Sequence, residues 1–394
     1  MRPAKGTHLL FLENQGILFH EPSQKLFHLN TTAAFIWHLL EENKSPEEIE
    51  DELQSFFSVP KETASDYLSQ TEQLLQTLGM LQGHEKDAAP EAEPPLCASP
   101  RPAGYPEDCM AEERHYHLLN SNLKVRYSHT ELLSQVASIF SHLEQDVAAE
   151  QVITIDIIRG QDGVIRLYHE YTPVYSCTDI NKLGPLVKTL VWRSAIDAFH
   201  FFIDIHAGVV GDGKQCFLLP AAAGSGKSTL TAALIHHGFE YFSDELALFQ
   251  EEGMKVCPAP LALCVKESGI NTLSTYYPHL HELNLHLRGD GKWARYMPPP
   301  TESIPHPATL RSVGAIVFPQ YTPAETTRLE NLGHIETLQL LMKECLIVNA
   351  HLDREKVSAL LKWIEETPCY RMPISDLNDA VKIFRTLSEN NEKP

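Results

Sequence analysis

Short apolar runs alternate with polar turn residues over the first 30 positions of the chain. The runs HLLFLE, GILFH and KLFHL lie between residues 8 and 29 and are separated by NQG and EPSQ. Asn, Gly, Pro and Ser favour turns because of their backbone and side-chain geometry. The pattern therefore predicts a small antiparallel meander of three strands.

A helical period of apolar residues follows this meander. Asn30 can cap a first helix, and SPEE at residues 45–48 has the form of a capping box for a second. A third apolar stripe at helical spacing covers about residues 62–78, and Gly79 can end that helix. Three strands followed by three helices predict a winged-helix-like module over residues 1–83.

Residues 84–114 interrupt the apolar pattern. This stretch is rich in Pro, Ala and acidic residues and has few large apolar ones, so it cannot bury enough surface to offset the cost of ordering. We expect a flexible, extended linker there. Strand-like runs and one helix-like stretch return over residues 115–200, and the remaining region, 201–394, contains the chemistry-bearing motifs. We expect the two parts to form one domain over residues 115–394.

Composition and charge limit the classes of partner. The chain has 394 residues, 43% of them hydrophobic, and a formal net charge of -20, which argues against a nucleic-acid or anionic membrane surface. Its eight cysteines form no Cys-x-x-Cys pair, which suits reduced thiols. Because the N-terminus lacks a signal-peptide core and no apolar run of about 18 residues occurs, we expect a cytoplasmic protein without a membrane segment.

The stretch LLPAAAGSGKSTLTAALIHHG, residues 218–238, contains the elements of a phosphate-binding loop. Backbone N–H groups of a glycine-rich loop can turn onto phosphate oxygens, a lysine can reach the outer phosphates, and a hydroxyl can ligate Mg²⁺. Ala221 stands where the usual pattern has its first glycine. Since an apolar strand precedes the loop and a helix over 229–237 follows, we still predict a nucleotide loop rather than a chance turn. The predicted nucleotide-binding residues are Gly224, Ser225, Gly226, Lys227, Ser228 and Thr229.

Polar residues flank this loop on both sides, at the ends of predicted strands. A strand over 240–242 leads to Asp244 and Glu245, and an acid there can bind Mg²⁺ or activate a nucleophile. Upstream, His206 is predicted to end one strand of the hairpin that leads into the loop. The alternative to a catalytic role for His206 is a structural histidine whose hydrogen bonds are satisfied within the fold.

The N-terminal module resembles a known family. HLNTTAAFIWHLLEENKSPEEIEDELQSFF and QTEQLLQTLGML, within residues 8–82, are similar to the PqqD-like peptide chaperone, or precursor-peptide recognition element. The resemblance implies that a leader peptide binds as an added strand beside residues 25–29 and 62–78, which an unpaired strand edge permits. A structural or dimerising module without a ligand remains the alternative. A DNA-binding role is disfavoured because the module is acidic.

The region around the loop resembles a second family. IHAGVVGDGKQCFLLPAAAGSGKSTLTAALIHHGFEYFSDELALF is similar to the HPr serine kinase/phosphorylase, and more closely to its HPr-kinase-related branch. The resemblance implies that Lys227 holds the outer phosphates of ATP and that Ser228 ligates Mg²⁺. It further implies that Asp244 is the base, that His206 lies beside it, and that Glu245 supports the metal.

Two basic residues match positions that recur in the related branch. Lys266 in LCVKES and Arg295 in WARYMP are expected to contact phosphate or substrate, with a surface salt bridge as the alternative for each. The motif by which HPr kinases recognise and dephosphorylate their protein substrate is not recognisable, so phosphorylase activity, and HPr itself as substrate, stay open.

The sequence thus predicts an α/β protein whose P-loop core, with a mixed sheet, follows a winged-helix PqqD-like domain. The predicted activity is an ATP- and Mg²⁺-dependent transfer of phosphate to a hydroxyl of a ribosomally made precursor peptide. Three alternatives stay open: a small-molecule hydroxyl kinase, a regulatory kinase of a folded protein, and a nucleotide-binding peptide adaptor without catalysis. Whether the chain forms a homo-oligomer is also open.

Overall fold

A computed structural model describes residues 2–84, 96, 100–101, 105, 109–145, 151–222, 224–344, 346–347 and 351–390. Its strands are β1 (Thr7–Leu12), β2 (Gln15–His20), β3 (Lys25–Leu29), β4 (Glu112–Leu118), β5 (Ser121–Tyr127), β6 (Ile153–Arg159), β7 (Ile165–His169), β8 (Thr172–Cys177), β9 (Ile203–Ile205), β10 (Ala207–Gly211), β11 (Cys216–Pro220), β12 (Glu240–Ser243), β13 (Ala247–Gln250), β14 (Lys255–Cys257), β15 (Leu263–Lys266), β16 (Leu285–Leu287), β17 (Trp293–Met297), β18 (Val313–Tyr321), β19 (Glu330–Asn331), β20 (Leu346–Ile347) and β21 (Cys369–Ile374). Its helices are α1 (Thr31–Glu41), α2 (Pro46–Phe57), α3 (Lys61–Leu78), α4 (Thr130–Phe140), α5 (Leu183–Asp197), α6 (Lys227–His236), α7 (Glu267–Leu273), α8 (His334–Glu344), α9 (Arg354–Glu366) and α10 (Leu377–Asn390). The predicted α/β class with a mixed sheet is confirmed.

The described residues divide into two compact units, and neither unit is continuous in sequence. The first unit takes its residues from 1–92, 333–343 and 348–368, and the second takes them from 93–332, 344–347 and 369–394. The sequence had placed everything after residue 114 in one domain, so the assignment of α9 and most of α8 to the first unit differs from that expectation.

The predicted meander and the three helices after it are present in the first unit. Strands β1, β2 and β3 form an antiparallel sheet in that order. Asn30 accepts a hydrogen bond from the N–H of Ala33 at the start of α1, and Ser45 and Glu48 form the capping box of α2. One face of the sheet, through Leu18 and Leu29, joins the apolar core built by α1, α2 and α3.

The opposite face of this sheet explains why distant helices join the unit. Leu12, Ile17 and Phe19 are fully buried there, although α1, α2 and α3 lie on the other side. Helix α9 packs against β1, and the side chain of Gln24 both accepts a hydrogen bond from the N–H of Leu352 (2.7 Å) and donates one to its carbonyl (2.9 Å). The sheet of this module is therefore covered on both faces.

The predicted linker is shorter than its composition indicates. Most of residues 84–114 lie outside the described part of the chain, but β4 already begins at Glu112. Within the same stretch the Tyr105 hydroxyl donates a hydrogen bond to Asp156, at 2.5 Å, and Leu96 packs against the core of the second unit. These described residues are ordered by contacts that their local sequence does not reveal.

The described residues of the second unit form four sheets. Strands β4 to β8 form a five-stranded sheet whose core also includes residues such as Leu248 and Tyr296, so residues from both 115–200 and 201–394 build this core. The central six-stranded sheet has the order β12-β10-β11-β18-β21-β19, with β11, β18 and β21 parallel and β10 antiparallel. The other two have the orders β14-β13-β9-β20 and β15-β17-β16.

His286, on β16, is one of the buried polar residues of the second unit. It is 1% exposed, and its ring lies so close to Gly184 that a Cβ on that residue would collide with it. Burial and, secondarily, the Arg295 cation lower the pKa of His286 to about 4. The folded protein therefore holds this imidazole neutral in weak acid.

We expect His286 to make stability depend on pH. An unfolded histidine takes up its proton near pH 6.5 and the folded one only near pH 4, so its contribution is complete above pH 6.5 and is lost as the pH falls. At pH 5 the loss is about 2 kcal/mol, and urea unfolding at neutral and acidic pH measures it. His286→Asn should reduce that difference, whereas the same change at the exposed His279 should leave it intact.

Candidate functional site

The predicted phosphate-binding loop connects β11 to α6. Gly224 and Gly226 both adopt the left-handed backbone conformation, with φ of 94° and 93°, which other residues rarely tolerate. Ala221 is buried beside the strand exit and does not have a positive φ, so the position where a first glycine was missing does not require one. The loop is thus compatible with its sequence.

Neighbouring strands hold this loop and its helix in place. The N–H of Tyr321, at the end of β18, donates a hydrogen bond to the carbonyl of Ser225 at 3.0 Å. Helix α6 packs closely on β10, because a Cβ at Gly208 would lie 2.6 Å from Oγ1 of Thr231. These contacts fix the N-terminus of α6, whose N–H groups and dipole favour an anion.

Lys227 is the first residue of α6 and is only 9% exposed. Its ammonium Nζ donates a hydrogen bond to the backbone carbonyl of Asp244 at 2.6 Å and lies 3.3 Å from Nε2 of His206. A buried ammonium with a single neutral acceptor and an imidazole beside it retains capacity for an anionic ligand.

Asp244 lies between β12 and β13, and 2% of its surface is exposed. Its Oδ1 has no hydrogen-bond partner among the described residues. Burial raises the pKa of this carboxyl, while the Lys227 cation and a hydrogen bond with Ser228 oppose the rise. An orphaned buried carboxylate oxygen facing the loop is the arrangement expected of a group that meets a cation or a proton-donating ligand.

His206 connects two sheets. It lies between β9 and β10, which belong to different sheets, rather than ending a hairpin strand. Because β9 pairs with β13, with Ile205 opposite Ala247, His206 lies near Glu245, and its ring also lies near Lys227. Burial and then the Lys227 cation lower the pKa of His206 to about 4, so the ring is neutral at pH 7.

Glu245 forms an ion pair with Lys188 of α5. Burial disfavours the charged carboxylate, but the cations of Lys188 and Lys227 outweigh it and lower the pKa of Glu245 to about 2. Lys188 also lies over the ring of Tyr296, 5.4 Å from its centroid. The charge of the Glu245 carboxylate is therefore balanced by the buried Lys188 without a metal. This pairing weakens the prediction that Glu245 is a free metal ligand.

These groups line one cavity of about 610 Å³ in the second unit. The lining includes His206, Asp244, Glu245, Lys266 and every predicted residue of the loop. Arg295 is not part of the lining; its charge acts on His286 instead, because the side chains of β17 alternate between two faces. The structure thus brings together all the predicted site residues except Arg295.

Two cations at this site, Arg288 and Lys188, are not predicted from the sequence. Arg288 lines the cavity and donates a hydrogen bond to Sγ of Cys264 at 2.9 Å. Lys188 reaches Glu245 from α5, and its only signal in the sequence is a lysine inside the otherwise apolar run PLVKTLVW. A buried lysine in such a run needs a buried acid as partner, but the partner follows 57 residues later.

The donors in the cavity are compatible with Mg²⁺ held together with phosphate. Among the described residues no group of three or more His, Cys, Asp and Glu side chains forms a metal cage. Mg²⁺ does not require one, since it binds through one or two carboxylates together with substrate phosphates. The orphaned oxygen of Asp244 and the hydroxyl of Ser228 fit that role.

No helix in the described part of the chain has the length and apolar character needed to cross a bilayer.

The buried pair of Lys188 and Glu245 gives a stability prediction. Lys188→Met leaves an uncompensated carboxylate, which we expect to lower the free energy of unfolding by about 2 kcal/mol, less than for a fully enclosed pair because Glu245 is 32% exposed. Adding Glu245→Gln should recover most of that loss in a double-mutant cycle measured by urea unfolding. Lys182→Met, at an exposed lysine, is the control; an equal effect there would contradict the assignment.

Comparison with protein families identifies the N-terminal module. Residues 15–81 match the family described as coenzyme PQQ synthesis protein D (PqqD). The match confirms the PqqD-like domain predicted from the sequence. No curated protein matched the chain.

Two solved structures are similar to parts of the chain. TbiB1 in complex with the TbiA(beta) leader peptide is 29% identical over 21% of this chain and 96% of its own, with a TM-score of 0.20. The Hpr(Ser) kinase/phosphatase from Coxiella burnetii is 14% identical over 48% of this chain and 95% of its own, with a TM-score of 0.24. The family match, over residues 15–81, shows the PqqD-like domain at the N-terminus.

Proposed function

We propose that this chain is an ATP- and Mg²⁺-dependent kinase that phosphorylates a serine or other hydroxyl on a ribosomally made precursor peptide, whose leader the PqqD-like domain holds. The observation that carries the proposal is the single cavity that combines a glycine loop, a buried lysine and an orphaned buried carboxylate. That combination occurs in a chain that also has a PqqD-like domain.

In this proposal the loop binds the phosphates of ATP. The backbone N–H groups from Gly224 to Thr229 would surround the phosphates, and Lys227 would exchange its carbonyl acceptor for a phosphate oxygen. Ser228 and Asp244 would hold Mg²⁺, which when bound supplies positive charge to the phosphates. Lys266 and Arg288 add two further cations on the cavity wall.

Asp244 would act as the base in the transfer step. As the acceptor oxygen forms its bond to the γ-phosphorus, the hydroxyl proton passes to the Asp244 carboxylate and the bond to the leaving ADP breaks. Burial raises the pKa of this carboxyl, which favours uptake of the proton by the oxygen that does not ligate Mg²⁺. The neutral His206 beside Lys227 adds no second positive charge, so its role is to position the ammonium.

Two glycines with the same backbone geometry allow an effect on phosphate binding to be distinguished from an effect on folding. Gly224 and Gly213 both have φ of 94° and open space around the Cβ position, but only Gly224 lines the cavity. Alanine at either position costs about 1 kcal/mol of strain. We expect Gly224→Ala to weaken ATP binding on the order of tenfold in calorimetric titrations with Mg²⁺, and Gly213→Ala to leave it unchanged. Equal affinities for the two variants would argue against a nucleotide loop here.

The transfer itself is tested by mass spectrometry of candidate peptides, any that are encoded beside this gene first, incubated with the protein, ATP and Mg²⁺. We expect a mass gain of one phosphate on a hydroxyl residue. Lys227→Ala and Asp244→Asn should each slow it at least about a hundredfold, since each removes a group needed in the transition state. Lys382→Ala, at an exposed lysine outside the cavity, is the control.

Two outcomes would replace this proposal. ATP binding without transfer to any peptide, unchanged by Asp244→Asn, would indicate a nucleotide-binding adaptor. Equal phosphorylation of a peptide lacking its leader would indicate a kinase that does not use the PqqD-like domain. Deleting residues 1–83 is a poor substitute for these tests, because it would expose the apolar side of α9.

A further inference from the structure

The cavity of the second unit is larger than the groups used in the proposed transfer require. A pocket of about 610 Å³ has the size that holds a drug-sized ligand, so phosphates alone would leave part of it empty. Its lining includes side chains to which the transfer step gives no role. We call five of them the β21 end of the cavity: Thr272, Tyr276, Tyr321, Asp376 and Asn378.

The order of the strands places the β21 end and Asp244 on opposite sides of the phosphate loop. In the order β12-β10-β11-β18-β21, the loop follows β11, Asp244 follows β12, and Asp376 comes shortly after β21. The same direction is shared by β12, β11, β18 and β21, so all four end at one edge of the sheet. Because neighbouring strands lie about 4.8 Å apart, Asp244 and Asp376 are each on the order of 10 Å from the loop, in opposite directions.

Helix α7 runs along the cavity between the loop and the β21 end. A Cβ on Gly269 of this helix would lie 3.1 Å from Oγ1 of Thr229 at the loop. Beyond the other end of α7, the Tyr276 hydroxyl donates a hydrogen bond to Oδ1 of Asn378, on α10, at 3.2 Å. A ligand whose outer phosphate faces Asp244 would therefore extend from the loop along α7 to the β21 end, outside the carboxyl ends of the strands.

The charge of the β21 end differs from that of the rest of the cavity. It contains no Lys or Arg, whereas Lys227, Lys266 and Arg288 line the remaining wall. Oδ1 of Asp376 accepts a hydrogen bond from the N–H of Asp379 at 2.9 Å, and Oδ2 has no partner among the described residues. A carboxylate repels phosphate but accepts hydrogen bonds from hydroxyl groups, and acidic residues bind ribose hydroxyls in other nucleotide sites. The chemistry of this end thus suits a sugar.

Asp376 is held in place by the fold itself. Oγ1 of the buried Thr327 accepts hydrogen bonds from the N–H groups of Ser375 and Asp376, both at 3.0 Å. The bond to Asp379 fixes one oxygen of the carboxylate as well. A group that is already ordered loses little conformational entropy when a ligand binds, so this carboxylate is preorganised.

Tyr321 gives the β21 end an aromatic surface beside the loop. Its backbone is fixed, because its N–H donates a hydrogen bond to the carbonyl of Ser225, yet its side chain is 61% exposed. A Cβ on Gly226 would lie 3.6 Å from the Cβ of Tyr321, so the ring starts next to the loop. An exposed aromatic ring can stack on any base, because every base has a π-face.

We propose that the β21 end binds the nucleoside of the phosphate donor, with a ribose hydroxyl donating to Asp376 and the base stacked on Tyr321. This inference rests on the proposed function and deepens it, because it names the class of donor. The donor is a ribonucleoside triphosphate that the site selects by its sugar more strongly than by its base.

Calorimetric titration of the full-length protein with Mg²⁺ and four probes tests this selection. The probes are ATP, GTP, 2′,3′-dideoxyATP, which lacks both ribose hydroxyls, and inorganic tripolyphosphate, which has only the part that the loop would hold. We expect ATP to bind about tenfold more tightly than the dideoxy compound and at least about tenfold more tightly than tripolyphosphate. GTP should bind within about threefold of ATP.

Asp376→Asn tests the sugar contact without removing the hydrogen bond to Asp379. With Oδ1 still accepting that bond, the new amide NH₂ replaces the free oxygen, so a ribose hydroxyl loses its acceptor. ATP should bind about tenfold more weakly and no better than the dideoxy compound, while tripolyphosphate binding is retained. Asp379→Asn, at an exposed aspartate outside the cavity lining, is the control and should leave all four affinities unchanged.

Tyr321→Ala tests the stacking surface. It should weaken ATP and GTP binding by similar factors of about tenfold and leave tripolyphosphate binding unchanged, which also shows that the loop is still folded. Phe56→Ala, at an aromatic residue of similar exposure in the first unit, is the control. Equal losses of ATP and tripolyphosphate binding in Tyr321→Ala would contradict a base contact.

These titrations separate the inference from the proposed kinase activity. Discrimination between ATP and the dideoxy compound that Asp376→Asn abolishes, without phosphate transfer to any peptide, supports the β21 end and rejects the kinase. Peptide phosphorylation with equal affinities for ATP, the dideoxy compound and tripolyphosphate rejects the β21 end and leaves the kinase in place. Failure of every nucleotide to bind also overturns the β21 end as a nucleoside site.

Discussion

The second unit depends on the balance of charge around its buried corner between β12 and β13. Two lysines, Lys188 and Lys227, and two carboxylates, Asp244 and Glu245, lie in or beside one cavity, and three of the four are less than 10% exposed. Taking so many charges out of water is unfavourable unless each meets an opposite charge or a hydrogen-bonding partner. Glu245 has its partner in Lys188, whereas Lys227 meets a backbone carbonyl and Asp244 keeps one oxygen unsatisfied.

That incomplete balance distinguishes the site from an ordinary buried ion-pair network. A structural network satisfies all its members, because an unpaired polar atom costs about 1–3 kcal/mol. Here the unsatisfied groups face the cavity beside a glycine loop and a helix N-terminus. A ligand with negative charge and a bound cation would provide partners for the Lys227 ammonium and the Asp244 oxygen. The unfavourable free energy of leaving them without such partners is thus located where binding would remove it.

Local signals in the sequence predicted local structure well. The caps at Asn30 and Ser45, the meander and the glycine turn between β11 and α6 all rest on residues a few positions apart, and the structure has each of them. The partner of Lys188, the neighbours of His206 and the direction of Arg295 depend on which strands pair and on which face a side chain lies. Those relations join residues tens of positions apart, so periodicity and spacing do not encode them.

The cover on the second face of the first unit's sheet was not predicted for the same reason, because it comes from helices far away in the sequence. A meander of three strands with one apolar face predicts a helical cover on that face only, yet Leu12, Ile17 and Phe19 show that the other face is apolar too. Read from the sequence, the runs HLLFLE and GILFH do have apolar residues at consecutive positions rather than strict alternation. Consecutive apolar positions are the pattern of a strand buried on both faces, which signals a second covering layer without identifying it.

The two-sided cover has a consequence for biosynthesis. Domains generally fold as units from the N-terminus while the chain is being made. Here β1 and β2 leave the ribosome more than 300 residues before α9, which ends at Glu366, so their second face stays uncovered until that helix has been made. A chain interrupted between the two would leave one apolar face of this sheet bare, so the sheet reaches its final state only after α9 has been synthesised.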